Sequence, residues 1–192
     1  MKSTSQTTAR REGRVSKRDW FAAALAELER SGVEAVRVER LAKQLSVAKS
    51  GFYWHFKDRK DLLKQVLEYW SNEFTEIVAT FPKAQRGEPS KRLLEIARII
   101  DEENLAKYDL AIRAWAAHDA DAADVVRKVT QYRLDYIGSI FAEMGFKGDE
   151  LEARTRLFVG FHSTEEAMFL KATKQKRTRL RRQQLKILTQ TA

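Results

Sequence analysis

Residues 38–63 read V-E-R-L-A-K-Q-L-S-V-A-K-S-G-F-Y-W-H-F-K-D-R-K-D-L-L, and this stretch decides the fold. Val38, Leu41, Ala42 and Leu45 recur at helical spacing, so residues 38–45 are expected as a short amphipathic helix. Ser46-Val47 makes a tight turn, and a second short helix is expected over residues 48–55. Asp58 offers a carboxylate N-cap to a long helix with a stripe of Leu62, Leu63, Val66, Leu67, Trp70, Phe74, Ile77 and Val78. Helices as short as the first two are marginal alone, so longer neighbours must hold them. Two short helices across a tight turn, seated on flanking helices, suit entry of the second into a DNA major groove.

Upstream, residues 1–15 are Ser/Thr-rich and basic, with Arg10, Arg11 and Arg14 and no apolar periodicity; they are expected as a flexible arm. Ser16 and Asp19 resemble a capping box opening a helix over residues 17–30, with Trp20, Ala24, Leu25 and Leu28 on one face. Gly32 is suited to the left-handed conformation beyond its end. Downstream, Phe81-Pro82 to Pro89 is the clearest break. Five more helices are expected, at about residues 90–107, 109–118, 121–144, 149–170 and 174–189. Asp121 is the expected cap of the third, and Asp149 with Glu152 a capping box for the fourth. Leu94 and Leu105 fall on the stripe of the first. No stretch alternates with period two and no repeat is found, so the fold class is all-α. The expected divisions are an arm at 1–15, a helix-turn-helix domain at 16–57, a connecting fourth helix at 58–80 and a larger helical domain at 81–192.

Composition narrows the function. With 43% hydrophobic residues, the 192-residue chain can build a packed core. It has no cysteine, which excludes a disulfide framework, a thiolate metal site and a cysteine nucleophile. No apolar run approaches the roughly 18 residues a membrane span needs. The polar, basic N-terminus is no secretory signal, and a cytoplasmic location is expected. The net charge of +9 is unevenly spread. Residues 1–70 carry 15 Lys/Arg against 9 acids, residues 71–169 carry 13 against 18, and residues 170–192 carry 8 against none. Basic ends around an acidic middle fit a polyanion partner held at one end, though they also serve solubility. His55, His118 and His162 lie on separate predicted helices. No nucleophile elbow, P-loop or metal-ligand spacing appears, so an enzyme ranks far behind, and neither a metal nor a cofactor is expected.

Phe52-Tyr53-Trp54-His55-Phe56, followed by Lys57-Asp58-Arg59 and Leu62-Leu63, closely resembles the TetR family of regulators. That motif runs helix, turn, recognition helix, an aromatic-Tyr-x-His-Phe end and a basic residue opening the next helix. A looser likeness extends from Arg113-Ala114-Trp115-Ala116 through Arg133 to Gly145-Phe146. The resemblance puts Lys49, Ser50 and Gly51 at the exposed start of the recognition helix. There Lys49 can donate to guanine O6/N7 or to a phosphate, and the two small residues let the backbone approach base edges. Tyr53 and His55 resemble the family's phosphate-contacting pair. Phe52 and Phe56 read as core, and Trp54 either stacks on sugar or packs. Arg59 stands where the family usually has Lys, at a helix N-terminus suited to phosphate, with Lys60 adding charge and Lys57 a further backbone contact. Three positions depart from the pattern. Arg37 replaces a hydroxyl cap, at a cost on the order of 1 kcal/mol. It also puts a cation at the wrong end of a helix dipole, which a nearby phosphate would relieve, so Arg37 joins the DNA-binding candidates. Ser46 replaces a turn Gly, and Ala48 a cap Ser/Thr.

For the second domain the resemblance implies a homodimer joined by the last two long helices, and an effector pocket among the middle ones. Candidate dimer-interface residues are Leu157, Phe158, Leu180, Leu185 and Leu188, with Gly160 a close-approach point and Glu165 or Glu166 facing a basic last helix. Candidate ligand-binding residues are Trp115, His118, Tyr132, Tyr136 and Phe161, although aromatics at helical spacing serve as core at least as often. His118 also reads as a helix-terminal cation. The expected function is a repressor released from a palindromic double-stranded DNA operator by a small apolar or aromatic effector. The alternative is an architectural or partner-controlled DNA-binding protein with no effector. No membrane partner is expected.

Overall fold

A computed structural model describes residues 15–75, 78, 80–168 and 173–190. Of the sequence expectations, the arm short of Val15, together with Ile77 and Phe169, lies outside the described residues, as do the side chains of Phe74, Glu165, Glu166 and Met168.

Helix α1 (Lys17–Ser31) opens on the expected capping box. The Ser16 N–H donates to the Asp19 carboxylate at 2.7 Å, and the Asp19 N–H donates to the Ser16 hydroxyl at 3.3 Å. Two donors that a helix start leaves orphaned are thereby satisfied. Gly32 ends the helix at φ 77° and ψ 173°: the positive φ is as expected, but the backbone leaves in an extended direction into a 3₁₀ turn, Val33–Ala35. Helix α2 (Val38–Gln44) follows. Ser46 turns the chain at φ 58°. The recognition segment, Lys49–Trp54, is a 3₁₀ helix rather than an α-helix. Its cap residue Ala48 has no polar side chain to hold the first turn of an α-helix. Asp58 caps α3 (Arg59–Phe74) by accepting from the Asp61 N–H at 2.8 Å.

Helix α3 stops at Phe74, short of the expected residue 80, because Thr75 leaves helical geometry and its hydroxyl accepts from Arg133 at 2.8 Å. A one-turn α4 (Pro82–Gln85), begun by a proline whose missing N–H costs nothing there, occupies the expected break. α5 (Pro89–Glu102) ends before Leu105, and α6 (Asp109–Ala116) follows. Asp119, not Asp121, caps α7 (Ala120–Glu143), accepting from the Ala122 N–H at 2.9 Å. α8 (Gly148–Met168) begins at Gly148, so Asp149 sits within its first turn rather than capping it. Thr173 caps α9 (Lys174–Thr189). Among the described residues there is no strand, and no helix is long and apolar enough to cross a membrane.

Two cores form. The first gathers Trp20, Leu25, Leu41, Phe52, Leu62 and Trp70 of the N-terminal helices, but Tyr108, Ile112 and Trp115 around α6 and Ala122 and Val129 of α7 complete it. The small N-terminal unit therefore shares its core with α6, and the 57/58 and 80/81 boundaries cut through packed contacts. The second core joins α4, α5, α7, α8 and α9 through Ala84, Leu93, Ile96, Phe141, Phe158 and Leu188. Leu94, expected on the α5 stripe, is exposed instead.

Candidate nucleic-acid surface and effector cavity

The recognition segment has a buried and an exposed side. Phe52 is fully buried, edge-on to Trp20 at 5.4 Å and tilted against Phe56 at 5.1 Å. With that ring anchored, the short turn presents Lys49, Ser50, Tyr53 and Trp54 outward. Tyr53 is 56% exposed and Trp54 75%. Two adjacent aromatics so exposed form the kind of surface patch that marks an interaction site. A Cβ built on Gly51 would meet nothing within 4 Å, so that glycine serves no internal packing need.

Lys49 is not a free cation. Its Nζ pairs with Glu39 of α2, and their shared hydrogen bond raises the lysine pKa and lowers that of the carboxyl. Arg37 stands exposed at the start of α2, makes no cap bond, and donates from Nε to the Glu34 carbonyl at 3.1 Å. Lys57 is exposed, its backbone N–H donating to Asp61 at 2.9 Å. Lys60 is exposed on a groove that Asp58, Asp119 and Asp121 also line.

Two expected phosphate ligands are engaged inside the fold. The Arg59 guanidinium donates to the carbonyls of Val36 at 2.7 Å and Val33 at 2.6 Å, with Glu34 at 3.8 Å. The Val33 carbonyl also accepts the Val36 N–H at 3.1 Å to close the 3₁₀ turn, and the Arg59 bonds tie the start of α3 to this segment before α2. His55 Nε2 lies 3.1 Å from the Val15 carbonyl and holds the chain entering α1. Sequence spacing identified these side chains as polar and near the motif; it did not reveal carbonyls from 23 and 40 residues away meeting them.

The second site is a cavity of about 60 Å³ between α3, α5, α6, α7 and α8. Of the five expected pocket residues, Tyr132 and Tyr136 line it. Trp115 is instead buried in the N-terminal core, His118 is exposed beyond α6, and Phe161 stands behind the wall, edge-on to His162 at 5.2 Å. Periodicity placed these residues on helix faces without saying which neighbour each face meets.

The wall also carries a polar network that sequence reading missed. Arg133 pairs with the fully buried Asp109 through both guanidinium nitrogens, the second at 3.2 Å, and reaches the Thr75 hydroxyl at 2.8 Å and that of Ser163 at 3.3 Å. The Trp70 indole N–H donates to the same carboxylate at 3.3 Å. One buried ion pair thus ties together the end of α3, the start of α6, the middle of α7 and α8. Tyr136 donates to the Ala84 carbonyl at 3.0 Å, and burial raises its pKa. Burial pushes His162 down to about 3, so the ring is neutral.

The expected dimer residues divide. Phe158, Leu185 and Leu188 are buried in the chain's own second core, because α8 and α9 pack inward on α5 and α7; they are not available to a partner. Leu180 is half-buried, whereas Leu157 is 61% exposed, as is Ile187 at 59%, a residue that sequence reading did not single out. Gly160 approaches nothing within 4 Å; Gly138 of α7 is the close-approach glycine, its Cβ position 3.5 Å from the Thr155 hydroxyl.

An all-helical chain with a helix-turn-helix unit coupled to a cavity-bearing helical domain belongs to a class of regulator-like folds. Residues 21–66 match the family described as bacterial regulatory proteins, tetR family. The chain is 30% identical over 73 residues to the HTH-type transcriptional regulator AcrR of Shigella flexneri, a match that spans 38% of this chain and only 34% of that protein. Its fold is similar to that of a transcriptional regulator from Rhodococcus sp. Rha1, with a TM-score of 0.71 at 17% identity over 91% of this chain and 94% of the other. It is also similar to FadR from Bacillus subtilis, solved in complex with stearoyl-CoA, with a TM-score of 0.68 at 18% identity over 91% and 98%. Residues 21–66 thus carry a DNA-binding head like that of the tetR family, and over nine-tenths of the chain the fold is similar to that of solved regulators.

Proposed function

We propose that this protein is a dimeric transcriptional repressor that binds a palindromic operator and is released by a small apolar or aromatic ligand. The observation that carries the DNA-binding reading is the exposed Tyr53-Trp54 pair beside Lys49, held outward by the buried Phe52. In this reading Lys49, Ser50 and Gly51 meet base edges, while Tyr53, Arg37, Lys57 and Lys60 meet the backbone. Lys49 must exchange Glu39 for a base or a phosphate, which favours sites that compensate for the lost ion pair. Arg59 and His55 act at one remove, by fixing the turn segments that carry the contacts.

The effector reading rests on the cavity and its neighbours. At about 60 Å³ it is smaller than the roughly 300–1,000 Å³ of a drug-sized ligand site. A ligand must therefore widen it. Thr75 and Val78, at and just beyond the end of α3, line the cavity, so widening it displaces the helix that carries the reading head. A ligand that prefers the widened state shifts the population away from the spacing that fits two major grooves.

Selection of bound duplexes from a random DNA pool at fixed salt tests the first half. An enriched palindrome is expected, with Tyr53→Ala lowering affinity across sequences and Lys49→Ala relaxing preference at one position. Binding without enrichment would favour the architectural reading instead.

A further inference from the structure

The cavity that holds Tyr132 and Tyr136 shares three wall residues, Ile100, Ala106 and His162, with a second, polar cavity of about 200 Å³ against α9. The far wall of that second cavity is Arg177 and Arg181. Arg181 is nearly buried and already paired, its guanidinium 2.6 Å from Asp101. Arg177 is different: its Nε is buried and has no acceptor among the described residues. A buried guanidinium N–H without an acceptor is costly, so an anion that reaches it gains a charge-assisted bond. His162 contributes no charge, since burial keeps its ring neutral. Among the described residues that line this cavity, two guanidiniums against one carboxylate leave a single positive charge facing the space.

We infer that the effector is an amphipathic monocarboxylate, with its carboxylate held by Arg177 in the polar cavity and its apolar body passing the Ile100–Ala106–His162 wall into the tyrosine-lined one. This inference rests on the reading of the chain as effector-controlled. The charge balance selects one negative charge, and planar guanidinium geometry suits a carboxylate. The apolar cavity offers no second cation, because Arg133 is committed to Asp109. An uncharged ligand of the same length fills the apolar part and leaves Arg177 as it was.

The test is calorimetric titration of the full chain with octanoate, octan-1-ol and octanoyl-coenzyme A, with thermal melts alongside. Octanoate is expected to bind at least about tenfold more tightly than octan-1-ol, the increment of a charge-assisted bond. Arg177→Gln is expected to abolish that preference and Arg177→Lys to restore part of it, with ligand-free melting temperatures reporting that both variants fold. Equal affinity for acid and alcohol, a preference that survives Arg177→Gln, binding of the coenzyme A ester alone, or no binding of any of the three would overturn the inference. A parallel operator-binding assay separates the two claims. Octanoate that binds through Arg177 without changing DNA affinity would sink the effector-controlled reading and leave the carboxylate site standing. Release of DNA by octan-1-ol as readily as by octanoate would do the reverse.

Discussion

Ser46 holds the turn between α2 and the recognition segment at φ 58°, a region that costs a residue with a Cβ about 1–2 kcal/mol. Glycine would enter it freely, at the expense of roughly 0.5–1 kcal/mol of extra unfolded-state entropy. Ser46→Gly is accordingly expected to stabilise the chain by a few tenths to about 1 kcal/mol, read as a rise in urea midpoint at constant slope. A lower midpoint would mean that the serine side chain supplies something the turn needs. His162 is the other residue with a separable signature. Its ring is pushed down to about 3 from an ordinary 6.5, first by burial and then by the charge of Arg181, with Asp101 and Gln184 opposing. Between those two values the unfolded chain binds a proton that the folded chain does not. The stability contributed is complete above about pH 6.5 and is lost as pH falls toward 3. The expected loss is up to about 1.4 kcal/mol per pH unit across that window. His162→Leu should flatten this dependence; denaturant melts from pH 7 down to 4 that superimpose for both proteins would rule it out.

At the scale of elements, the Arg133–Asp109 pair is the joint between α3, α6, α7 and α8. Asp109→Asn leaves a largely buried guanidinium without its counter-charge, and a loss of about 3–5 kcal/mol is expected. Asp109→Leu combined with Arg133→Met removes both charges and should cost much less than the sum of the two single changes. Chemical denaturation of all four proteins gives the coupling energy directly. Additive losses would show that the two side chains act independently, despite their contact. The same joint explains where α3 stops: Thr75 turns out of the helix with its hydroxyl on Arg133, whereas the apolar stripe alone would have carried the helix on toward residue 80.

For the whole molecule, the distribution of apolar surface distinguishes what the chain keeps for itself from what it offers. Leu185 is buried in the second core, and Leu185→Ala should destabilise the chain by about 2–5 kcal/mol. Leu157 stands exposed on α8, and under the proposed dimer Leu157→Arg should leave the melting temperature of the monomer unit nearly unchanged while shifting the dimer toward monomer. Sedimentation velocity checks the second expectation, and an unchanged dimer would move the interface elsewhere. Two heads brought together at one helical turn of DNA, about 34 Å, would then make operator symmetry a consequence of protein symmetry.

The all-helical architecture and the turn-flanked motif were legible because they follow from local chemistry. Periodic Leu, Val and Trp, a Ser16–Asp19 box, an Asp58 cap and paired prolines act within a few residues of themselves. The outward Lys49 and Tyr53 and the buried Phe52 were legible through the resemblance of residues 52–63 to a known motif, not through spacing alone. Partnerships between distant segments were not. Arg59 and His55 looked like phosphate ligands until carbonyls from the far side of the head met them. Trp115 looked like pocket until α6 turned it into the N-terminal core, and Phe158 looked like interface until α8 packed it inward. Sequence by itself determined roughly where the helices lie and most of their apolar faces, since both depend on spacing along one chain. Only the tertiary structure decided which face meets which, and so whether a given cation, aromatic or leucine is used within the molecule or left for a partner.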